Sequence, residues 1–449
     1  MGADLRSFLE QVRQRWPEEW QVVKKEVDPR YEITALVVRC EKEKRRPVLL
    51  FEKVKGTPFP VVSNVHSRAR LALAMRSTPR EMVPDFLRAM ENPIPPRVVP
   101  SGPVKEVIQK GDQVNLLELP QISHHAEDAG PYITAAISFA KDPETGVYNC
   151  AYNRLMFKTK NTTTIHLSPG KHLWEFYTKA EKAGVPLHVA LVIGAHPAWA
   201  LGALTIGPIV EDERGVMGAL LGEPLEMVRC ETSDLLVPAA AELVLEAEIP
   251  PGVRMEEGPF GEFTGYALGL RRREVVQVKA ITRRRDMMFQ DITVGHLDHL
   301  VLSTAPIEAN LFRAVRAMVP SVTAVRVPAP FTVFVSIEQK ALGQGMNAAL
   351  AVLGTDIYMK QVVVVDHDVD IFDDGRVLWA MGTRVQPNRD ICIINQARGT
   401  DLDPSVAVDG VTSKIAIDAT AKPSLKDFTP RHSVPPEVLA RMNPADWLA

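Results

Sequence analysis

The sequence predicts an α+β protein in three parts: an N-terminal α/β region over 1–103, a strand-rich centre over 104–307 and a C-terminal α/β layer over 308–449. Three observations carry this. The 449 residues suffice for two or three domains at about 150 residues each. Between Val104 and Ile307, short strand-like runs follow one another (ITAAISFAK, YNCAYNRLMFK, TTTIHL, LHVALVIG, ELVLEAEI, VVQVKAITRR, MMFQDITV), the pattern of a barrel or sandwich. From Pro306 onward strand and helix patterns alternate, as in a layered βα domain.

Leu5 to Gln21 has helical apolar spacing, and Tyr31 to Phe51 reads as two strands, ITALVV and PVLLFE, around the charged turn EKEKRR. Helices are expected at Arg68–Met75 and Pro79–Met90, and the Pro-rich stretch from Pro93 to Pro103 marks the first boundary. In the centre, helices are expected at His172–Ala183, opened by SPGK, and at Asp212–Leu221. Helix at Pro306–Val319, strand at FTVFVSIE, helix at Gly345–Leu353, strand at QVVVVDHDVD and helix at Gly375–Gly382 complete the last part, before a short helix from Pro435 to Leu448.

Composition excludes several classes. With 46% hydrophobic residues the chain buries enough surface to fold. Its 52 basic and 55 acidic residues balance to a net charge of -3, which disfavours a nucleic-acid binder. Cys40, Cys150, Cys230 and Cys392 lie far apart, so neither a disulfide framework nor a zinc ribbon is expected, and a reducing cytoplasm fits. Val185 to Val210 carries no Asp, Glu, Lys or Arg, but Pro186, Pro197, Gly202, Gly207 and Pro208 punctuate it. A buried strand, a loop and a second strand are expected there rather than a membrane span.

The most informative stretch runs from Glu256 to Tyr266, in which GPFG separates Glu257 from Glu262. Five residues apart, the two carboxylates point to opposite faces of a regular strand; a turn at GPFG brings them together. Two carboxylates in one pocket become an acid/base device because repulsion and burial raise one pKa. Upstream, Asn149 and Arg154 flank a strand start, and a bend there lets an amide oxygen and a guanidinium reach one pocket. His172 opens a helix, where free N–H groups favour an anion, and Glu213 opens another. Amide, imidazole and carboxylate together suit Mn²⁺ or Mg²⁺.

Taken together these segments resemble the UbiD family of decarboxylases. The Asn149–Arg154 pair, His172, Glu213, VPAAAELVLE from Val237 to Glu246, EGPFGE from Glu257 to Glu262, then VVVVDHDVD, WAMGTR and AIDAT stand in the family's order, over roughly Asn64 to Lys422. The resemblance implies a split β-barrel flavin-binding domain and a C-terminal domain that mediates oligomerisation, as dimer or hexamer. It implies prenylated FMN, supplied by a flavin prenyltransferase and held through its phosphate by Mn²⁺ or Mg²⁺, with K⁺ nearby. Asn149, His172 and Glu213 fall on the metal-ligand positions. Arg154, Glu257 and Glu262 fall on the catalytic positions, with Lys171 and Lys360 toward the cofactor. The activity implied is reversible decarboxylation of an aromatic, heteroaromatic or α,β-unsaturated acid.

One segment departs from the family. Gly295-His296-Leu297-Asp298-His299 stands where many relatives carry a GRPP-like loop, which points to His296 and His299, with Arg326, as substrate contacts and to furan or pyrrole carboxylates such as furan-2,5-dicarboxylate. The rival readings are an FMN oxidoreductase on the same barrel and a non-catalytic flavin-binding assembly subunit. No nucleic-acid or membrane partner is expected.

Overall fold

The computed structural model describes residues 3–208, 212–406, 408, 410–422, 432, 434–443 and 446. The N-terminal sheet runs in the order Trp20–Val23, Val48–Phe51, Val61–Ser63 and Phe289–Gln290. Its last strand comes from the end of the central region and pairs in parallel with Val61 and Val62, so backbone hydrogen bonds tie the two regions. Helix Leu5–Arg15 covers this sheet with Leu5, Phe8, Leu9 and Val12, which repeat at helical spacing and pack on Val48 and Val62. Asp4 caps the helix, its carboxylate accepting the Ser7 N–H while the Ser7 hydroxyl accepts the Asp4 N–H.

Two expectations about local structure fail here. ITALVV lies in the helix Glu32–Lys42, not in a strand. Its buried residues Ile33, Thr34, Val37 and Cys40 recur at helical spacing, and packing of Ile33 and Val37 in the cluster with Phe51 and Val54 overrides the strand preference of β-branched residues. After strand Leu187–Ile193, the second element of the uncharged stretch is the short helix Pro197–Gly202. Pro197 occupies its first turn and the His196 ring accepts the Ala198 N–H, a start signal that outweighs the apolar run. Among the described residues no helix is long and apolar enough to cross a membrane.

The centre is a ten-stranded sheet whose neighbours all pair antiparallel. Its axis is the 13-residue strand Arg271–Arg283, long enough to pair with Thr162–Ile165, Leu243–Ile249, Arg254–Glu257 and Val107–Lys110. The C-terminal sheet orders Val322–Ala329, Thr332–Ile337, Gln361–Asp366, Val411–Asp418 and Ile391–Arg398, with the inner three strands parallel. Helices Gln344–Thr355 and Asp374–Arg384 form the crossovers. The helix expected from Pro306 begins nine residues earlier and runs Leu297–Met318, with Pro306 inside it. It therefore crosses the 307/308 division and joins the centre to the C-terminal layer. Two ion pairs, Arg68–Glu308 and Arg80–Asp370, add ties from the N-terminal region. Of the helix expected over Pro435–Leu448, Pro436–Arg441 is observed, and 444, 445, 447 and 448 lie outside the described residues.

Candidate active site

The strand Tyr148–Tyr152 carries Asn149, and Arg154 stands two residues past its end. Asn149 is 5% exposed, and its Nδ2 donates to Glu213 Oε1 at 2.8 Å, while the Cys150 N–H donates to Glu213 Oε2 at 3.1 Å. Glu213 is the first residue of helix Glu213–Leu221, which Asp212 caps, so the helix start holds a buried carboxylate among N–H donors. His172 is the first residue of helix His172–Lys182, and its Nδ1 stands 3.8 Å from Glu213 Oε1. Three chain segments thus meet as the sequence analysis expects. Among the described residues no three His, Cys, Asp or Glu side chains gather, so the cluster has three metal donors only when the Asn149 amide is counted. A half-turn of that amide presents its oxygen beside the carboxylate and the imidazole, and this hard oxygen and nitrogen set fits Mn²⁺ or Mg²⁺.

Arg154 follows a break in the strand. Asn153 makes the break: its N–H donates to Ala136 O at 3.0 Å, its Nδ2 to His166 O at 3.0 Å, and its Oδ1 accepts from the Ser138 hydroxyl. The chain re-enters the sheet at Leu155–Thr159 with Arg154 displaced from regular alternation. The Arg154 Nε donates to Glu257 Oε1 at 3.0 Å and its Nη1 to Glu262 Oε1. Its guanidinium also lies over the Phe260 ring, 4.8 Å from the centroid, and Phe260 packs on Tyr132. Glu257 ends the strand Arg254–Glu257 and Glu262 follows Phe260–Gly261, so the Gly258–Gly261 turn folds both carboxylates onto one guanidinium.

Electrostatics separate the roles. Burial raises the Glu262 carboxyl above the usual glutamate range, outweighing the opposing pull of Arg154, and Glu257 adds repulsion. Burial works against the Arg154 charge, yet Glu262 and Glu257 together lift its pKa above the ordinary arginine value. With all three ionised, one cation faces two anions, and the excess negative charge in a buried site favours a proton on one glutamate. Glu257 Oε2 is buried without a partner among the described residues.

Two cavities adjoin here. The wider, about 890 Å³, is lined by Asn149, Lys171, His172 and Glu213 from the centre and by Arg326 and Phe331 from the C-terminal layer. The narrower, about 190 Å³, is lined by Arg154, Glu262, Phe260, His166 and His299. Tyr152, Asn153, Ser168, Leu204, His299 and Ser303 line both, so the cavities share a wall. Burial holds the His299 imidazole down to about 4 and the His166 imidazole down to about 3, so both are neutral donors or acceptors. His299 Nδ1 accepts the Gly295 N–H at 3.3 Å, which leaves Nε2–H to donate.

Three expected contacts need correction. His296 lines neither cavity: its Nδ1 pairs with Glu41 at 2.8 Å and its ring stacks on His125. Lys360 also lines neither, because its ammonium is taken by Asp403 at 2.7 Å and Ser405 at 2.6 Å. Arg326 lines the wider cavity but donates to Asp374 at 2.8 Å and Ile371 O at 2.7 Å, so its charge is already matched. The sequence reading missed Tyr152 and Ser303, whose place two residues from Arg154 and four from His299 offered only proximity as a signal.

The comparisons with known proteins cover the whole assembly. Residues 15–90, 97–297 and 300–419 match the N-terminal, Rift-related and C-terminal domains of the UbiD 3-octaprenyl-4-hydroxybenzoate carboxy-lyases. The UbiD-class enzyme HmfF from Pelotomaculum thermopropionicum, solved in complex with FMN, is 42% identical, with TM-score 0.93 over 99% of this chain and 100% of its own. An evolved dimeric form of HmfF in complex with prFMN is 39% identical, with TM-score 0.89 over all of both chains. The anhydromevalonate phosphate decarboxylase of Methanothermobacter thermautotrophicus is 35% identical over 93% of this chain and 96% of its own.

Proposed function

The chain belongs to the UbiD family of carboxy-lyases, and we propose that it is a prenylated-FMN-dependent, reversible decarboxylase of a heteroaromatic, aromatic or α,β-unsaturated acid, favouring furan or pyrrole carboxylates. The observation that carries the reading is the Arg154 guanidinium held between two buried glutamates, two residues beyond the strand that carries the Asn149 cluster. Asn149, His172 and Glu213 would hold a divalent cation, Mn²⁺ or Mg²⁺, against the cofactor phosphate, with Lys171 and the N-terminus of helix His172–Lys182 adding positive potential.

Loss of CO₂ from an sp² carbon leaves a carbanion without delocalisation, and prenylated FMN, when bound, supplies the electron sink that no side chain provides. The remaining steps fall to the chain. Arg154 Nη2 has no protein partner among the described residues and is free to take the substrate carboxylate, while Nε and Nη1 hold the two glutamates. Glu262, kept protonated to higher pH by burial, delivers its proton to the carbon once CO₂ has left. Phe260, Ile292, Val294 and Leu302 line the narrow cavity and exclude water from the reacting atoms.

Two features support a small ring. The narrow cavity suits a five-membered ring acid, and His299, which lines it, keeps an Nε2–H donor that a furan oxygen can accept. A second carboxylate, as in furan-2,5-dicarboxylate, would compete with Asp374 for the Arg326 charge, so the single-carboxylate acids fit with least rearrangement. K⁺ beside the phosphate, a flavin prenyltransferase as supplier, a homo-oligomer and a cytoplasmic location with four free cysteines complete the proposal. The test is CO₂ release by the prenylated-FMN holoenzyme from furan, pyrrole, benzoic and cinnamic acids. Turnover of cinnamic acids without five-ring acids overturns the substrate class, and no release from any acid overturns the activity.

A further inference from the structure

The turn that carries Glu262 is fixed from a distant part of the chain. Asp128 is fully buried at its side chain, and its Oδ1 accepts the Gly261 N–H at 3.0 Å across 133 residues. Its Oδ2 accepts the His125 N–H at 2.9 Å and the His124 N–H at 3.2 Å. The Ala129 N–H donates in turn to Pro259 O at 2.9 Å, so segment 124–129 grips the turn at two points. A Cβ at Gly261 would stand 3.0 Å from His125 Nδ1, and one at Gly295 would stand 3.1 Å from Glu262 O. Glu262 is therefore walled on both sides by close backbone packing. The His125 ring stacks on His296, centroids 6.0 Å apart and planes 14° apart, and Glu41 accepts both from the His296 side and from the Leu297 N–H.

The geometry points to Asp128 as the positioning residue for the proton donor of the proposed decarboxylation: through the Gly261 N–H it sets where the Glu262 carboxyl meets Arg154 and the substrate carbon, and His125 and His296 brace it. Asp128 touches neither cavity, so it acts only through the turn. The inference rests on the proposed role of Glu262. A misplacement of about 1 Å at a reacting group costs about a hundredfold in rate.

The experiment compares Asp128→Ala and Asp128→Asn holoenzymes with wild type, by steady-state CO₂ release, by flavin absorbance and by crystal structure. Asp128→Ala is expected to lose about a hundredfold in kcat with KM within about threefold and an unchanged flavin spectrum. Asp128→Asn keeps an oxygen for the Gly261 N–H and is expected to recover to within about tenfold of wild type. The Asp128→Ala crystal structure is expected to show the Glu262 carboxyl moved off Arg154. An unmoved Glu262, an unchanged kcat, or a KM rise without loss of kcat overturns the assignment. If Asp128→Ala does not fold, Asp128→Leu, which keeps bulk but offers the Gly261 N–H no acceptor, decides alone: a soluble, flavin-loaded variant with wild-type kcat and wild-type Glu262 position overturns it. If wild type releases no CO₂, the decarboxylase reading fails, and the crystal structures still decide whether Asp128 places Glu262.

Discussion

Replacing Glu262 by Gln tests the centre of the proposed chemistry. The substitution keeps size and one acceptor for Arg154 Nη1 but removes the only proton this residue can give. A positioned general acid contributes about 10² to 10⁴ in rate, or about 3–5 kcal/mol at 1.36 kcal/mol per decade. Stability should hold. With every group ionised, Arg154, Glu257 and Glu262 bury one positive and two negative charges, and the Gln leaves one of each. Wild-type kcat is expected to fall on the alkaline side, because a carboxyl raised by burial keeps its proton above the usual glutamate range and loses it as pH rises further. The assay is CO₂ release from furan-2-carboxylate or pyrrole-2-carboxylate across pH, with thermal unfolding alongside. A Glu262→Gln enzyme within threefold of wild-type kcat, or one that keeps the alkaline limb, refutes the proton-donor role.

Glu213→Gln is expected to weaken Mn²⁺ binding tenfold or more and to strip flavin on gel filtration, measured by Mn²⁺ electron paramagnetic resonance without turnover; unchanged Mn²⁺ affinity removes Glu213 from the metal seat. His299→Ala is expected to raise KM for furan acids about tenfold through loss of one hydrogen bond; because burial holds the imidazole down to about 4, wild-type KM should stay flat across neutral pH, and a rise centred near the ordinary histidine value would show that the ring charges. Glu308→Ala, which strands Arg68 and the Val327 N–H, is expected to cost about 3 kcal/mol in urea unfolding, the low end for a buried pair because Arg68 is partly exposed. A cost under about 1 kcal/mol would show that the N-terminal and C-terminal parts do not rely on this tie.

How much the sequence disclosed depends on whether a residue's role is set by its own segment or by a distant one. Glu257 and Glu262 were legible because GPFG between them is itself the turn that joins them. The Asn149 and Arg154 pair was legible as residue types, while the reason both reach one cavity was not. That reason is Asn153, whose bonds to Ala136, Ser138 and His166 belong to two other stretches. ITALVV misled because β-branching describes a residue's intrinsic preference, and burial of Ile33 and Val37 against Phe51 overrides it. Lys360 and His296 misled in another way: each charge or ring has a partner far along the chain, Asp403 for one and Glu41 for the other, and no local pattern announces it. Asp128 stayed hidden for the same reason, since its decisive bond spans 133 residues.

The separation of the two half-sites follows from the sheet. Strand Tyr148–Tyr152 pairs in register with Ile137–Lys141, Ala140 facing Asn149 and Ile137 facing Tyr152, so its length and direction are fixed by five consecutive pairings. Five residues at about 3.3 Å each place Asn149 and Arg154 no more than about 17 Å apart. In the proposed reading, Asn149 would help hold the cofactor phosphate and Arg154 would take the substrate carboxylate, so the two ends of this interval would serve one bound flavin. The strand pairing therefore fixes the Asn149 end of the interval, and past the Asn153 break Arg154 lines the narrow cavity. A cation-binding cluster and an acid–base triad could each arise anywhere on such a sheet. In the proposed reading, their placement five residues apart on one run of chain is what makes them a single site.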